Sequence, residues 1–337
     1  MLAFLSACTG LRADEVEFVQ PAPDASQPRW GCATGLQIGI WTPETRDGPR
    51  GLIRLYYPVD GEGSAPSLVN YIAVEPAVAG KGRGYSELER SGHDGRTGLR
   101  VWATEDALTA TGPDRPPLSA GSIAADPQAP QGRTLQVRLA VEPFANGAHP
   151  YVVATFRSGR PNEVEFAVFA EADSAEIRSC TLTATMGNYA RLRQLWLQER
   201  VVTSRELWPG HQGTGFAPDV YFGLAELPRN ADGDVVVAAT TDEAEPRRER
   251  PFAPRPSWWW HGGPFTQYWR QPAAWVRPDL HVRVNGRGTY WQTDRAIPGG
   301  MAFENFELRE SFEPGQVFCW GITAQAPAAL SAAPVDE

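Results

Sequence analysis

Three segments in the middle of the chain, 135–142, 151–157 and 163–169, alternate apolar and polar side chains one residue at a time and are joined by short, turn-rich links. A period of two suits an extended strand with one buried face and is incompatible with a helix, whose faces repeat every 3.6 residues. Such strands cannot stand alone, so a run of them commits the chain to stacked sheets. Composition points the same way. With 33 glycines and 30 prolines in 337 residues, long helices would be broken repeatedly, whereas turns are well supplied.

Other segments extend the pattern. Apolar runs at 36–41 and 51–57, separated by the turn-rich 42–50, predict a hairpin. Further strands are expected at 67–78, 98–104, 179–186, 235–240, 280–285 and 317–323. Asp232-Gly233 supplies the preferred dipeptide of a tight hairpin turn just before the 235–240 run. The 81–96 stretch, with Glu87, Glu89, Arg90, His93 and Asp94, and the Pro/Ala/Gly-rich 109–132 read as loops. Leu192, Leu195 and Trp196 have helical spacing between strand-like flanks, so 187–197 stays open between a short helix and a strand. The expected architecture is a single-domain, all-β, large antiparallel sandwich over 30–325. A linker at 14–29 precedes it and a disordered tail at 326–337 follows.

The first thirteen residues are apolar, and Leu5-Ser6-Ala7-Cys8 resembles a bacterial lipoprotein box. This predicts an exported protein, either lipid-anchored at Cys8 or cleaved near Ala13. Cys32, Cys180 and Cys319 are compatible with one disulfide plus a thiol or with three thiols, and they show no metal-site spacing. A formal charge of -9 and a pI of 5.2 argue against nucleic acid or an anionic membrane surface as partner. The only membrane attachment expected is through the N-terminal lipid. Sequence motifs for phosphate-binding loops, zinc proteases, dinucleotide folds and nucleophile elbows are missing, and no cofactor or metal is expected.

Twelve tryptophans are in excess, and indole faces can stack on sugar rings as well as fill cores. Trp258, Trp259 and Trp260 are consecutive. Neighbouring side chains of an extended chain point to opposite sides, so at least one of them should be exposed or line a cleft. Two carboxylates, Glu75 and Glu304, interrupt otherwise apolar strands, and burying a carboxylate is costly unless it is paired or used. They are read either as an acid–base pair for sugar chemistry or as ion-pair partners of buried arginines. His211 and His261 lie in Gly-containing loops and are candidate proton donors. Tyr268 and Arg270, two residues apart, share a strand face and would suit a base beside a charge-neutralising cation. Arg193 is a second candidate for holding a substrate carboxylate or hydroxyl.

The C-terminal segment Gly300-Met301-Ala302-Phe303-Glu304-Asn305-Phe306, followed by Phe312-Glu313-Pro314-Gly315-Gln316 and a closing apolar strand, resembles the end of aldose 1-epimerases and other galactose mutarotase-like proteins. The resemblance implies that family's β-supersandwich and a carbohydrate substrate, and it matches Glu304 to the family's catalytic-base glutamate. The family's Asn-His-x-x-x-Asn-Leu stretch is missing, which leaves His211 or His261 as the complementary acid. The same supersandwich is shared by polysaccharide lyases, for which Tyr268 or a histidine would be the base. The non-catalytic alternative is a carbohydrate-binding sandwich that uses its exposed tryptophans.

Overall fold

In the Ser67–Val78 strand, Ile72 and Val74 enter the main apolar core while Tyr71, Ala73 and Glu75 occupy the opposite face. That division recurs along the sheet it belongs to and decides where the polar chemistry lies. A computed structural model describes residues 17–22, 25–40, 49–61, 63–104, 118–185, 187–211, 213–243, 265–291 and 293–331.

Two 10-stranded antiparallel sheets make an all-β sandwich. The first runs, in spatial order, Phe18–Val19, Arg29–Cys32, Gln37–Gly39, Leu52–Tyr57, Ser67–Val78, Ile177–Thr185, Ala302–Arg309, His281–Arg287 and Val220–Gly223, with Gly82–Arg83 paired to Ser67–Val78. The second runs Val201–Thr203, Leu192–Trp196, Val235–Thr241, Thr266–Gln271, Gln316–Thr323, Glu163–Ala170, Pro150–Arg157, Arg133–Val141 and Val101–Ala103, with Ser122–Ala125 beside Arg133–Val141. The expected hairpin forms as Gln37–Gly39 against Leu52–Tyr57. Asp232 and Gly233 turn the chain before Val235–Thr241, with Gly233 at a φ of 83° that a side chain would resist.

One core joins the layers. Ile72, Leu182, Val282 and Phe306 of the first sheet belong to the same apolar cluster as Val137, Phe166, Trp269 and Trp320 of the second. Full burial of each large side chain is worth roughly 1.5–3 kcal/mol in transfer free energy. Two hydrogen bonds cross the core: Trp269 Nε1 donates to the Phe306 carbonyl at 2.8 Å, and Asn70 Nδ2 donates to Gln267 Oε1 at 2.7 Å. Cys32, Cys180 and Cys319 are separate buried thiols.

Several local expectations change. Phe18–Val19, expected in a linker, pairs with Arg29–Cys32 and places Phe18 in the core at 5% exposure. Ser122–Ala125, expected in a loop, is an exposed edge strand. Backbone pairing alone defines it, so no apolar periodicity announces it. Within 187–197 a turn leads into the strand Leu192–Trp196. At the C-terminus, Pro327–Ser331 is a short helix whose Leu330 packs on Val236, Ala238 and Tyr268. Residues 1–16 and 332–337 lie outside the described residues, and so do the expected export signal and the end of the expected tail.

Candidate functional site

The outer face of the first sheet carries a row of polar side chains from four adjacent strands: Glu75, Thr183, Glu307 and Arg283. Each stands on the face opposite its core-facing neighbours, so strand alternation alone brings them together. The Thr183 hydroxyl donates to Glu307 Oε2 at 2.6 Å, and Arg283 Nε pairs with Glu307 Oε1. Arg283 also reaches Glu75 at 3.4 Å and Asp219 at 3.2 Å, and Arg83 lies 3.1 Å from Glu75. Burial and the neighbouring Glu307 push Glu75 up to about 8 against the pull of Arg283 and Arg83. Glu75 nonetheless sits at 2% exposure within ion-pair distance of two guanidinium groups, the structural alternative expected for an embedded carboxylate.

Glu304 differs. On the neighbouring strands Asn285 pairs with Asn305 and Gly286 with Phe303, so Glu304 is the extra residue of a β-bulge. A bulge re-aims one side chain without breaking the strand. Phe303 and Phe306 stay in the core, while Glu304 turns to a cleft that it lines with Leu52, Glu87, Thr185, Phe216 and Trp291. Gly286 permits the tight crossing, since a Cβ there would lie 2.7 Å from Trp208 and 2.8 Å from the Ala302 carbonyl. Glu304 is 1% exposed and has no ion-pair partner among the described residues. Asn188 Nδ2 donates to its Oε2. Burial pushes the Glu304 carboxyl up to about 8, opposed by Arg287 and Asn188 and reinforced by Glu87.

The cleft is open to solvent at its mouth and has a closed volume of about 30 Å³. Phe216, 48% exposed, and the partly buried Trp291 supply aromatic surface beside the carboxylate. Asn188 is presented by a turn whose Arg191 takes a left-handed φ of 50°, a conformation uncommon outside glycine and held here by the Arg191–Glu243 pair at 2.8 Å.

Glu87 is the residue that sequence reading missed, because the 81–96 stretch looks like solvent-exposed loop. Its neighbour Ser86 is fully buried. The Ser86 hydroxyl donates to the Gly51 carbonyl at 2.5 Å and accepts from the Val74 amide at 2.9 Å. Gly51, at a φ of 74°, allows this approach, since a Cβ would meet the Ser86 carbonyl oxygen at 1.9 Å. The loop is thereby pinned onto the sheet, and Glu87 reaches the cleft. Its Oε2 is shielded and has no hydrogen-bond partner among the described residues. Burial pushes Glu87 up to about 7, countered by its own backbone amide and Ser86, with Glu307 raising it and Arg283 lowering it.

The remaining sequence candidates are dispersed. Tyr268 and Arg270 do share a face, as their spacing predicts, but it is the outer face of the second sheet, across the core from Glu304. There Arg270 pairs with Glu163 and lies 2.8 Å from Asp234, while the Tyr268 hydroxyl is 3.4 Å from Glu163. Arg193, fully buried, is consumed by Asp242 at 2.9 Å, Glu243 at 2.8 Å and the Pro298 and Met301 carbonyls. It ties the second sheet to the segment that leads into Glu304 and does not reach the cleft. His211 lies on the loop that carries Phe216; its Nε2 is shielded without a hydrogen-bond partner among the described residues, and it does not line the cleft. His261, Trp258, Trp259 and Trp260 lie outside the described residues. Among the described residues, no group of three or more His, Cys, Asp and Glu converges as a metal-ligand set.

No protein-family model matches the sequence, and no curated protein matches it. Among solved structures, the galactosidase domain of the alpha-galactosidase-sucrose kinase AgaSK is 8% identical with a TM-score of 0.34, over 91% of this chain and 42% of that one. The crystal structure of HI1317 is 10% identical with a TM-score of 0.22, over 91% of this chain and 98% of that one. These are weak fold-level resemblances, and the chain spans less than half of the AgaSK domain chain.

Proposed function

We propose that the protein is an exported carbohydrate-active protein that acts on a sugar or polysaccharide by proton transfer at the Glu304 cleft. The observation that carries this reading is a carboxyl group 1% exposed, without an ion-pair partner among the described residues, on a bulge beside Phe216 and Trp291. Structural carboxylates on the same face are neutralised by arginines, as Glu75 and Glu307 are. A group poised near neutral pH can take up a proton in its ionised form and release one in its protonated form. The aromatic surfaces suit the apolar face of a sugar ring, and the carboxyl suits its hydroxyls or an acidic ring proton. The apolar first thirteen residues support export.

The test is turnover on a panel of reducing sugars, followed by polarimetry, and of uronate polymers, followed by absorbance of the unsaturated product. Glu304→Gln keeps the shape and removes the titration. Turnover should fall by roughly two to four orders of magnitude with folding retained. Turnover that survives the substitution overturns the reading. Binding of the panel without turnover in the wild type would favour the non-catalytic alternative.

A further inference from the structure

We infer that Glu87 is the second proton-transfer group of this cleft, and that Glu87 and Glu304 hold one proton between them. This rests on the proton-transfer reading of the cleft and supplies the partner that His211 does not provide.

Both carboxyls line one cleft, and neither has an ion-pair partner among the described residues. Facing Glu304 are Arg287 from the His281–Arg287 strand, Asn188 and Tyr189 from the turn before Leu192–Trp196, and Glu87. Facing Glu87 are Glu307 and Arg283, and that guanidinium is already shared among Glu307, Glu75 and Asp219. Two carboxylates that line one cleft, with neither ion-paired among the described residues and only Glu304 facing a further guanidinium, Arg287, cannot both ionise cheaply, so one retains its proton when the other loses it. Enclosure assigns the proton. Glu304 is almost wholly inaccessible, whereas Glu87 is half-buried and has its own loop amide to support a charge. The resting pair is ionised at Glu87 and protonated at Glu304.

A balanced step follows. A sugar O–H or C–H bond breaks, its proton bonds to Glu87, and the electron pair stays on the sugar. That pair forms a new π bond and expels a C–O bond pair onto oxygen, which takes the proton from Glu304. One proton enters the pair as one leaves, so no further reactant is needed. In the reverse direction the roles exchange, with Glu304 as base.

Side-chain NMR titration of carboxyl-labelled glutamates in the folded, ligand-free protein tests the pair directly. In Glu87→Gln the Glu304 midpoint should fall by about one pH unit or more, and in Glu304→Gln the Glu87 midpoint should fall comparably, because coupling is reciprocal. Thermal melts of the same samples confirm folding. The reciprocal variant keeps the test open if one does not fold. Unmoved midpoints in both variants overturn the pair. Should turnover still collapse in Glu304→Gln, the cleft reading would survive that failure. Matching midpoint shifts with turnover indifferent to Glu304→Gln would sink the cleft reading and, with it, the catalytic role of Glu87.

Discussion

Asn188 Nδ2 donates to Glu304 Oε2, so an uncharged amide, where Glu75 has two guanidinium groups, is the polar partner of a carboxyl that is 1% exposed. The two embedded glutamates therefore differ in kind. Glu75 is ion-paired to Arg283 and Arg83 within a network, whereas Glu304 has an amide donor, and burial raises both carboxyls to about 8.

That difference has a stability signature. The Glu304 carboxyl is raised to about 8 in the folded protein, against an unfolded value of ~4.3. Between those values the folded state holds a proton that the unfolded state has lost, so stability falls as pH rises, by about 1.4 kcal/mol per unit at most. Glu304→Gln lacks this loss. Denaturant melts from pH 5 to 9 should show the variant gaining on the wild type up to about pH 8 and levelling off above it. A variant that loses stability at every pH would mean that Glu304 is a paired structural ion.

Removing the amide should push the same group further. Asn188→Ala strips Glu304 of the hydrogen bond that favours its charged form, so its titration should move upward. Leaving the buried carboxyl without that donor should also cost about 1–3 kcal/mol. The pH-rate profile and a chemical melt of the variant check the two effects separately. A profile that does not move would show that the amide leaves the carboxyl's proton affinity untouched.

Arg270 should behave as scaffold. Its guanidinium pairs with Glu163 and Asp234 on the second sheet, so Arg270→Met strands two carboxylates and should cost about 3–5 kcal/mol. Turnover per folded molecule should be unchanged. A selective loss of kcat in material that remains folded would return Arg270 to the site.

Trp291 should act on binding alone. Replacing it with alanine removes aromatic surface at the cleft worth about 1 kcal/mol, which should raise KM roughly five-fold with kcat preserved. Equal losses in kcat and kcat/KM would place the indole at the transition state instead.

The period-two segments and the turn residues carried the fold class. Extended strands with one apolar face need a second layer, and a chain with 33 glycines and 30 prolines favours another sheet over long helices for it, so the sandwich was legible from 135–169 and the C-terminal strands. The anomaly of Glu304 was also legible, because the cost of burying a charge is a local property of an apolar strand. Its direction was not. One extra residue at 304 flips a side chain across the sheet, and a bulge depends on the register of Ala302–Arg309 against His281–Arg287, which sequence alternation does not report. Glu75 and Glu304 looked alike because both interrupt apolar runs, and only tertiary contacts bring two arginines into ion pairs with one and leave the other with an amide donor and the more distant Arg287. Glu87 was hidden for a related reason: its loop is polar in composition, and the buried Ser86 hydroxyl that pins it to Gly51 and Val74 draws on partners 35 and 12 residues away. Tyr268 and Arg270 kept the shared face their spacing required, yet which sheet presents that face was decided by the order in which the strands assemble. Local periodicity thus determined what each strand buries, and the long-range pairing of strands determined which buried carboxyl has no ion-pair partner among the described residues.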